Sequence, residues 1–388
     1  MINKLYVSFV WINPGITREL TQHQKINNSK SITMDRRKFI EASGVAAGAA
    51  VLGSAQSSFA SNPSEFKPTR AVSSKIKLGL YSITYGGIWY VGASLSFEEF
   101  CKRAKDYGFD GVELDNKRPM GCPLDLDKRR RDEMVNALQK NGLEIPAVAA
   151  NNDFSSPVPE HRECQLLMVR ETARLARDMG AKIVRLFAAW PGVVIHEGVG
   201  TYDLTRGNFY TFEGQYPFAT RLDRWNFVKD CLKEAAKFGE EFGITMALQN
   251  HAPLIKTWKD TLDLVREVNS PWLKICLDLP IMDNLDKDYV ANAVRTVGDL
   301  QVHSHFGGEY YRDNDGTVKP VILDYYAGGK NPDYPHYIGL MNEINYNGYF
   351  TFELCHPVLH EDHTRGDIHY VDNQVKLARE FLGKIISR

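Results

Sequence analysis

Five short stretches of this chain end or interrupt an apolar run with side chains that can bind a cation or move a proton. ITMALQNHAP (244–253) closes on Gln249, Asn250 and His251 before Pro253 ends the extended run. LKICLDLP carries Asp278, LQVHSHF carries His303 and His305, YFTFELCHP carries Glu353 and His356, and FDGVELD carries Glu113. Carboxylates and imidazoles drawn from several segments are the donor set of a divalent cation. The same groups do acid–base chemistry: a carboxylate removes a proton from carbon, and an imidazole titrating near neutrality returns one. Each residue alone has an ordinary explanation, such as a hydrogen-bonded histidine or an Asp capping the next helix. Their recurrence at equivalent places in successive segments argues for one site, with Glu353, His251 and Glu113 as catalytic candidates.

The elements that would position them alternate. From Ile76 onward, short apolar strands such as IKLGLYSI and KIVRLFAA are each followed by an amphipathic helical stretch. The helices after the first two strands stop at Gly108 and Gly142, a common C-terminal signal. Eight strand–helix units predict a parallel sheet closed into a (β/α)8 TIM barrel, an α/β fold of one domain spanning 76–388. No GxGxxG opens a helix after the first strand, which argues against a dinucleotide-binding sheet. In a barrel the site lies at the C-terminal ends of the strands, where these polar residues fall.

Two βα loops are long, after strands 4 and 7. The first (191–221) carries Tyr202, Phe209, Tyr210, Phe212, Tyr216 and Phe218, and the second (307–333) carries Tyr310, Tyr311, Tyr325 and Tyr326. Aromatic faces over a barrel mouth suit stacking on sugar rings. The alternative is that they pack the loops onto the barrel. Trp89 after the first strand and Trp190 after the fourth are the substrate-binding candidates.

These stretches together resemble the xylose isomerase-like TIM barrels, which include sugar isomerases, ketose 3-epimerases, inosose dehydratases and repair endonucleases. The resemblance covers about 76–386 and rests on FDGVEL, Gln249 on strand five, Asp278 in CLDLP, His305 in HSHFGGEYYR and Glu353 in FELCHP. It implies that Gln249, Asp278, His305 and Glu353 hold one divalent metal ion (Mn2+, Mg2+, Co2+ or Zn2+). HFGGEYYR is similar to the family's HxGExxR with one residue inserted, which makes Arg312 a substrate-contact candidate. Two positions depart from the family: Gln249 stands where a Glu is usual, and Ile281 where the epimerases carry His. Gln can lend its amide oxygen to a metal but is neither acid nor base. A two-glutamate proton relay is therefore in doubt, leaving Glu353 as base and His251 as a second acid/base group. The resemblance implies a metal-dependent isomerase or epimerase acting next to a carbonyl of a carbohydrate or polyol. The alternatives are a lyase or dehydratase eliminating from a keto-sugar such as a 3-keto-glycoside, and a non-catalytic exported carbohydrate-binding barrel.

Composition narrows the partners. With 43% hydrophobic and 24% charged residues and a net charge of -1, nothing draws the chain to nucleic acid. The six cysteines form no CxxC pair and predict no disulfide framework. At the N-terminus, MDRRKF precedes an Ala/Gly-rich run and the small residues Ser58-Phe59-Ala60. This resembles a twin-arginine export signal, too weakly apolar to be a stable membrane anchor. The expected layout is an upstream extension (1–33), a signal peptide (34–60), a linker (61–75) and the barrel (76–388). It implies the Tat export machinery as a partner and a periplasmic location. A homo-oligomer is left open.

Overall fold

The computed structural model describes residues 76–190, 192–196, 198–201 and 216–387. The expected extension, export signal and linker lie outside the described residues, as do Tyr202, Phe209, Tyr210 and Phe212.

Eight parallel strands close a barrel. They are β1 (Lys77–Tyr81), β2 (Gly111–Asp115), β3 (Ala147–Ala149), β4 (Ile183–Leu186), β5 (Thr245–Gln249), β6 (Leu273–Cys276), β7 (Gln301–Gly307) and β8 (Tyr349–Glu353). Each pairs in parallel with its sequence neighbours, and β1 closes onto β8 with Lys77 opposite Tyr349. Helices α1 (Phe97–Asp106), α2 (Lys128–Asn141), α3 (Pro159–Met179), α4 (Arg221–Phe242), α5 (Trp258–Val268), α6 (Lys287–Val297), α7 (Tyr334–Glu343) and α8 (Ile368–Ile386) follow the strands in turn. The predicted (β/α)8 architecture is the observed one.

Local sequence explains where these helices start and stop. Ser96 and Glu99 form a capping box at α1, as do Thr220 and Asp223 at α4 and Thr257 and Asp260 at α5. Gly142, Gly180 and Gly243 end α2, α3 and α4 in the left-handed region. Both long loops contain hairpins that strand periodicity alone did not reveal. Val194–His196 pairs with Val199–Thr201, and Tyr310–Arg312 pairs with Val318–Pro320.

The barrel interior is unusual in its polarity, since barrels of this class are ordinarily filled by branched apolar layers. Here Glu113, Arg185, Gln249, His303 and His305 are buried at its centre. Small residues make the room: Gly79 and Gly111 lie on β1 and β2, and Ala147 and Ala149 on β3. A Cβ on Gly79 would meet Thr351 Oγ1 at 2.6 Å. The apolar core proper lies between the strands and the helices, where Leu80, Val112, Val148, Val184, Leu248 and Ile275 are fully buried. No described helix is long and apolar enough to cross a membrane.

Candidate active site at the C-terminal mouth of the barrel

The barrel strands bring Glu113, Gln249, Asp278, His303, His305 and Glu353 together. Asn250 explains how Asp278 is placed. Its Oδ1 accepts from the Asp278 backbone N–H at 2.7 Å, and its Nδ2 donates to the Asp278 carbonyl at 3.1 Å. The amide at 250 therefore pins the chain just past β6. Gln301 does the same one residue earlier, accepting from Leu277 N–H at 2.9 Å.

Asp278, His305 and Glu353 offer ligand atoms that all lie within 4.8 Å of one another. His305 Nε2 meets Glu113 Oε2 at 2.7 Å, and its Nδ1 faces Asp278 Oδ2 at 3.3 Å. Glu113 thus orients the ring so that Nδ1 turns toward the acidic cluster, the usual support for a metal-binding histidine. Asp278 Oδ1 is buried with no partner among the described residues. An orphaned carboxylate oxygen beside an imidazole and a second carboxylate fits a divalent cation, and these three side chains would hold it. When bound, such an ion polarises a substrate carbonyl and acidifies the neighbouring C–H.

Gln249 enters the site differently from expectation. Its Oε1 accepts from Arg185 Nη1 at 2.7 Å, and its Nε2 donates to Asp278 Oδ2 at 2.6 Å. These partners fix the amide's orientation, since a carboxylate requires the NH2 and a guanidinium the oxygen. In this arrangement the oxygen expected to bind metal faces Arg185, so Gln249 bridges a cation and an anion.

Electrostatics divides the ionisable groups. Burial raises the Glu353 carboxyl, and Asp278 and Glu113 add to that, against the lowering pull of His305 and Arg185. Glu353 also lines a cavity of about 410 Å³, with Gln249, His251, Trp89 and Trp190. A carboxyl with raised pKa facing a cavity is suited to take a proton from carbon. Burial opposes charge on Glu113, but Arg185, His305 and His303 outweigh it and hold the carboxyl well below its ordinary range. Both Glu113 oxygens are engaged, Oε1 by Arg185 Nε at 2.7 Å and Oε2 by the two histidines. Glu113 is placed to position the other groups. Burial lowers His303 against the raising pull of Glu113, whereas Glu113 with Glu353 and Asp278 raises His305 to about 10 despite burial.

His251 sits in the cavity wall, with its ring 4.2 Å from Trp190 and 5.1 Å from Phe187, centroid to centroid. Trp89, Trp190 and Phe187 give the cavity apolar faces suited to a sugar ring. Some of the other loop aromatics pack the structure, while Phe218, Tyr311 and Tyr325 are exposed. Tyr310, Tyr326 and Tyr90 are buried, and Tyr310 OH donates to Gly307 O at 3.2 Å.

Arg312 corrects an expectation. It lies on the second hairpin and pairs with Glu380 at 2.6 Å, its side chain 48% exposed and outside the cavity lining. Tyr310–Arg312 pairs with Val318–Pro320 in that hairpin, beyond the end of β7. His356 likewise meets Glu309 at 2.9 Å, apart from the cavity. The sequence pattern gave Asn250 no role and did not single out Arg185 or Asp115. Arg185 left a signal, a charge inside the otherwise apolar strand run KIVRLFAA. Asp115 lines the cavity, and burial raises its carboxyl to about 6 against the opposing pull of Lys117 and Arg185.

Comparison with known proteins agrees with this fold. A family model described as xylose isomerase-like TIM barrel matches residues 101–375. A D-psicose 3-epimerase from Clostridium cellulolyticum H10, solved with D-tagatose, superposes with a TM-score of 0.58 at 18% identity, over 81% of this chain and 100% of that one. A 3-keto-D-glucoside 4-epimerase from E. coli superposes with a TM-score of 0.54 at 18% identity, over 80% and 98%. A probable 3-DHS dehydratase from Bacillus anthracis does so with a TM-score of 0.52 at 17% identity, over 79% and 99%. At these identities the likeness is one of fold. No curated protein matches this chain.

Proposed function

This chain belongs to the xylose isomerase-like TIM barrel family, and from that premise we propose that it is a metal-dependent enzyme of the sugar isomerase or epimerase type. It acts by removing a proton next to a carbonyl of a carbohydrate or polyol. The observation that carries this reading is Glu353, a carboxyl raised by burial, lining the cavity beside Asp278 and His305. Trp89, Trp190 and Phe187 hold the sugar, Glu353 takes the proton, and His251 is the group on the cavity wall able to return one. The solved relatives described as sugar epimerases support a carbohydrate substrate.

A second reading, elimination from a keto-sugar, is favoured by Gln249. Where an amide replaces a second carboxylate, the proton has no equivalent group to return it from the opposite face. The enolate left by Glu353 can then expel a β-substituent. The relative described as a dehydratase shows that the fold accompanies such a name. Export by the twin-arginine route to the periplasm remains part of the proposal, resting on the MDRRKF stretch and the small residues after it.

The test is solvent exchange. Purified protein loaded with Mn2+ is incubated in D2O with D-psicose, D-tagatose and methyl 3-keto-glucoside, and deuterium at carbon is read by NMR. Exchange is expected with at least one of them, and Glu353→Gln should slow it by about 1,000-fold. Retained exchange in that variant removes Glu353 from the base role. Product analysis separates isomer from eliminated fragment. A protein that binds these sugars and exchanges no proton is the non-catalytic barrel.

A further inference from the structure

Proton abstraction as described gives no task to the buried guanidinium of Arg185. Arg185 rises from β4 into the barrel centre, 1% exposed, and forms part of the cavity wall. Its guanidinium is held firmly. Nε donates to Glu113 Oε1 at 2.7 Å and Nη1 to Gln249 Oε1 at 2.7 Å. The Tyr81 and Phe187 rings lie 4.8 Å and 5.0 Å from it. The remaining nitrogen, Nη2, is buried and has no partner among the described residues. An unpaired buried donor is costly, and a ligand oxygen would relieve that cost. Glu113 is fixed in turn by His303 and His305, so the guanidinium cannot easily turn to satisfy Nη2 elsewhere.

We propose that Arg185 is a catalytic residue whose Nη2 donates to the substrate carbonyl oxygen as that oxygen becomes an enolate. The proposal rests on the reading of proton abstraction by Glu353. In that step the Glu353 carboxylate takes the proton from the carbon next to the carbonyl. The C–H electron pair becomes a C=C bond, the carbonyl π pair moves onto oxygen, and the guanidinium meets the new negative charge. A fixed donor aimed where charge develops is worth more in the transition state than in the ground state. Gln249 fits this role. A glutamate there would give the guanidinium a second carboxylate and shield its charge, whereas an amide oxygen orients Nη1 without neutralising it.

The test uses the Mn2+-loaded protein and three probes: methyl 3-keto-glucoside for exchange, a four-carbon sugar hydroxamate as a planar anionic enolate mimic, and xylitol as a neutral polyol. The double variant Arg185→Met/Glu113→Gln removes both charges of the pair, and because Glu113 also supports His305 it is compared with wild type at equal bound Mn2+, read by metal analysis. Its exchange rate and hydroxamate affinity should fall by about 100-fold while xylitol affinity stays within about threefold, and methylguanidinium added in solution should restore part of the exchange. Exchange and hydroxamate affinity within about fivefold of wild type overturn the proposal, as does an equal loss for hydroxamate and xylitol. If the double variant does not fold, Arg185→Lys decides by the same contrast, since it keeps a cation for Glu113 but loses the planar fork. A wild-type protein that exchanges no proton from any ketose tested sinks the proton-abstraction reading and the proposal with it. Wild-type exchange that survives in the variant sinks the proposal alone.

Discussion

Gln249 and Asp115 show how single side chains set the chemistry available to this site. Gln249 joins Arg185 to Asp278 through the two ends of one amide. A glutamate would keep the first contact and turn the second into carboxylate against carboxylate. Gln249→Glu should therefore lower metal-free stability by about 1–3 kcal/mol, and Mn2+ should raise its Tm more than it raises that of wild type. Equal melting curves without metal would show that the bridge contributes nothing. Asp115 has its carboxyl raised by burial to about 6. A carboxyl raised on folding contributes stability below its unfolded value near 4, and that contribution is lost as pH rises through about 6. Asp115→Asn should accordingly stabilise the protein above pH 7, by up to about 3 kcal/mol, and not at pH 4. Urea midpoints at the two pH values measure the difference, and a gain of equal size at both would refute the assignment.

At the scale of elements, the barrel spends small residues on one side to house large polar ones on the other. Gly111 on β2 lies so close to its neighbours that an added Cβ would stand 2.8 Å from Glu144 O and 2.9 Å from Tyr349 Cε1. Both are parts of packed strands or their flanks, so they have little freedom to give way. Gly111→Ala should cost about 1–3 kcal/mol in urea unfolding through overpacking, and an unchanged midpoint would mean that β2 shifts freely. Amphipathic periodicity and the glycine stops at Gly108 and Gly142 made the helices legible in the sequence, whereas the capping boxes came to light only in the structure. The hairpins in the long loops were not legible either, because strands of three residues carry too little alternation to stand out from a loop.

For the whole molecule, the proposed metal site would couple cation binding to the protonation of His305. Its imidazole is held at about 10 by Glu113 and the cluster acids, so at neutral pH a proton occupies the ring that a cation needs. Binding must expel that proton, and Mn2+ affinity should rise by about tenfold per pH unit between pH 6 and 9. The thermal stabilisation at fixed Mn2+ should grow with pH in step. An affinity flat across that range would exclude His305 as a ligand.

The sequence by itself determined the eight strand–helix units, the glycine stops at Gly108 and Gly142, and the strand segments that carry Glu113, Gln249, Asp278, His305 and Glu353. Those features are local: periodicity, helix-stopping glycines and the position of a polar side chain after an apolar run are all written within a few residues of one another. Tertiary structure alone decided the partners. It turned the Gln249 oxygen to Arg185, gave Asn250 the task of placing Asp278, made Glu113 a support, and carried Arg312 out to Glu380. Each of those outcomes depends on contacts between segments far apart in the chain, and one buried guanidinium is enough to turn the Gln249 amide.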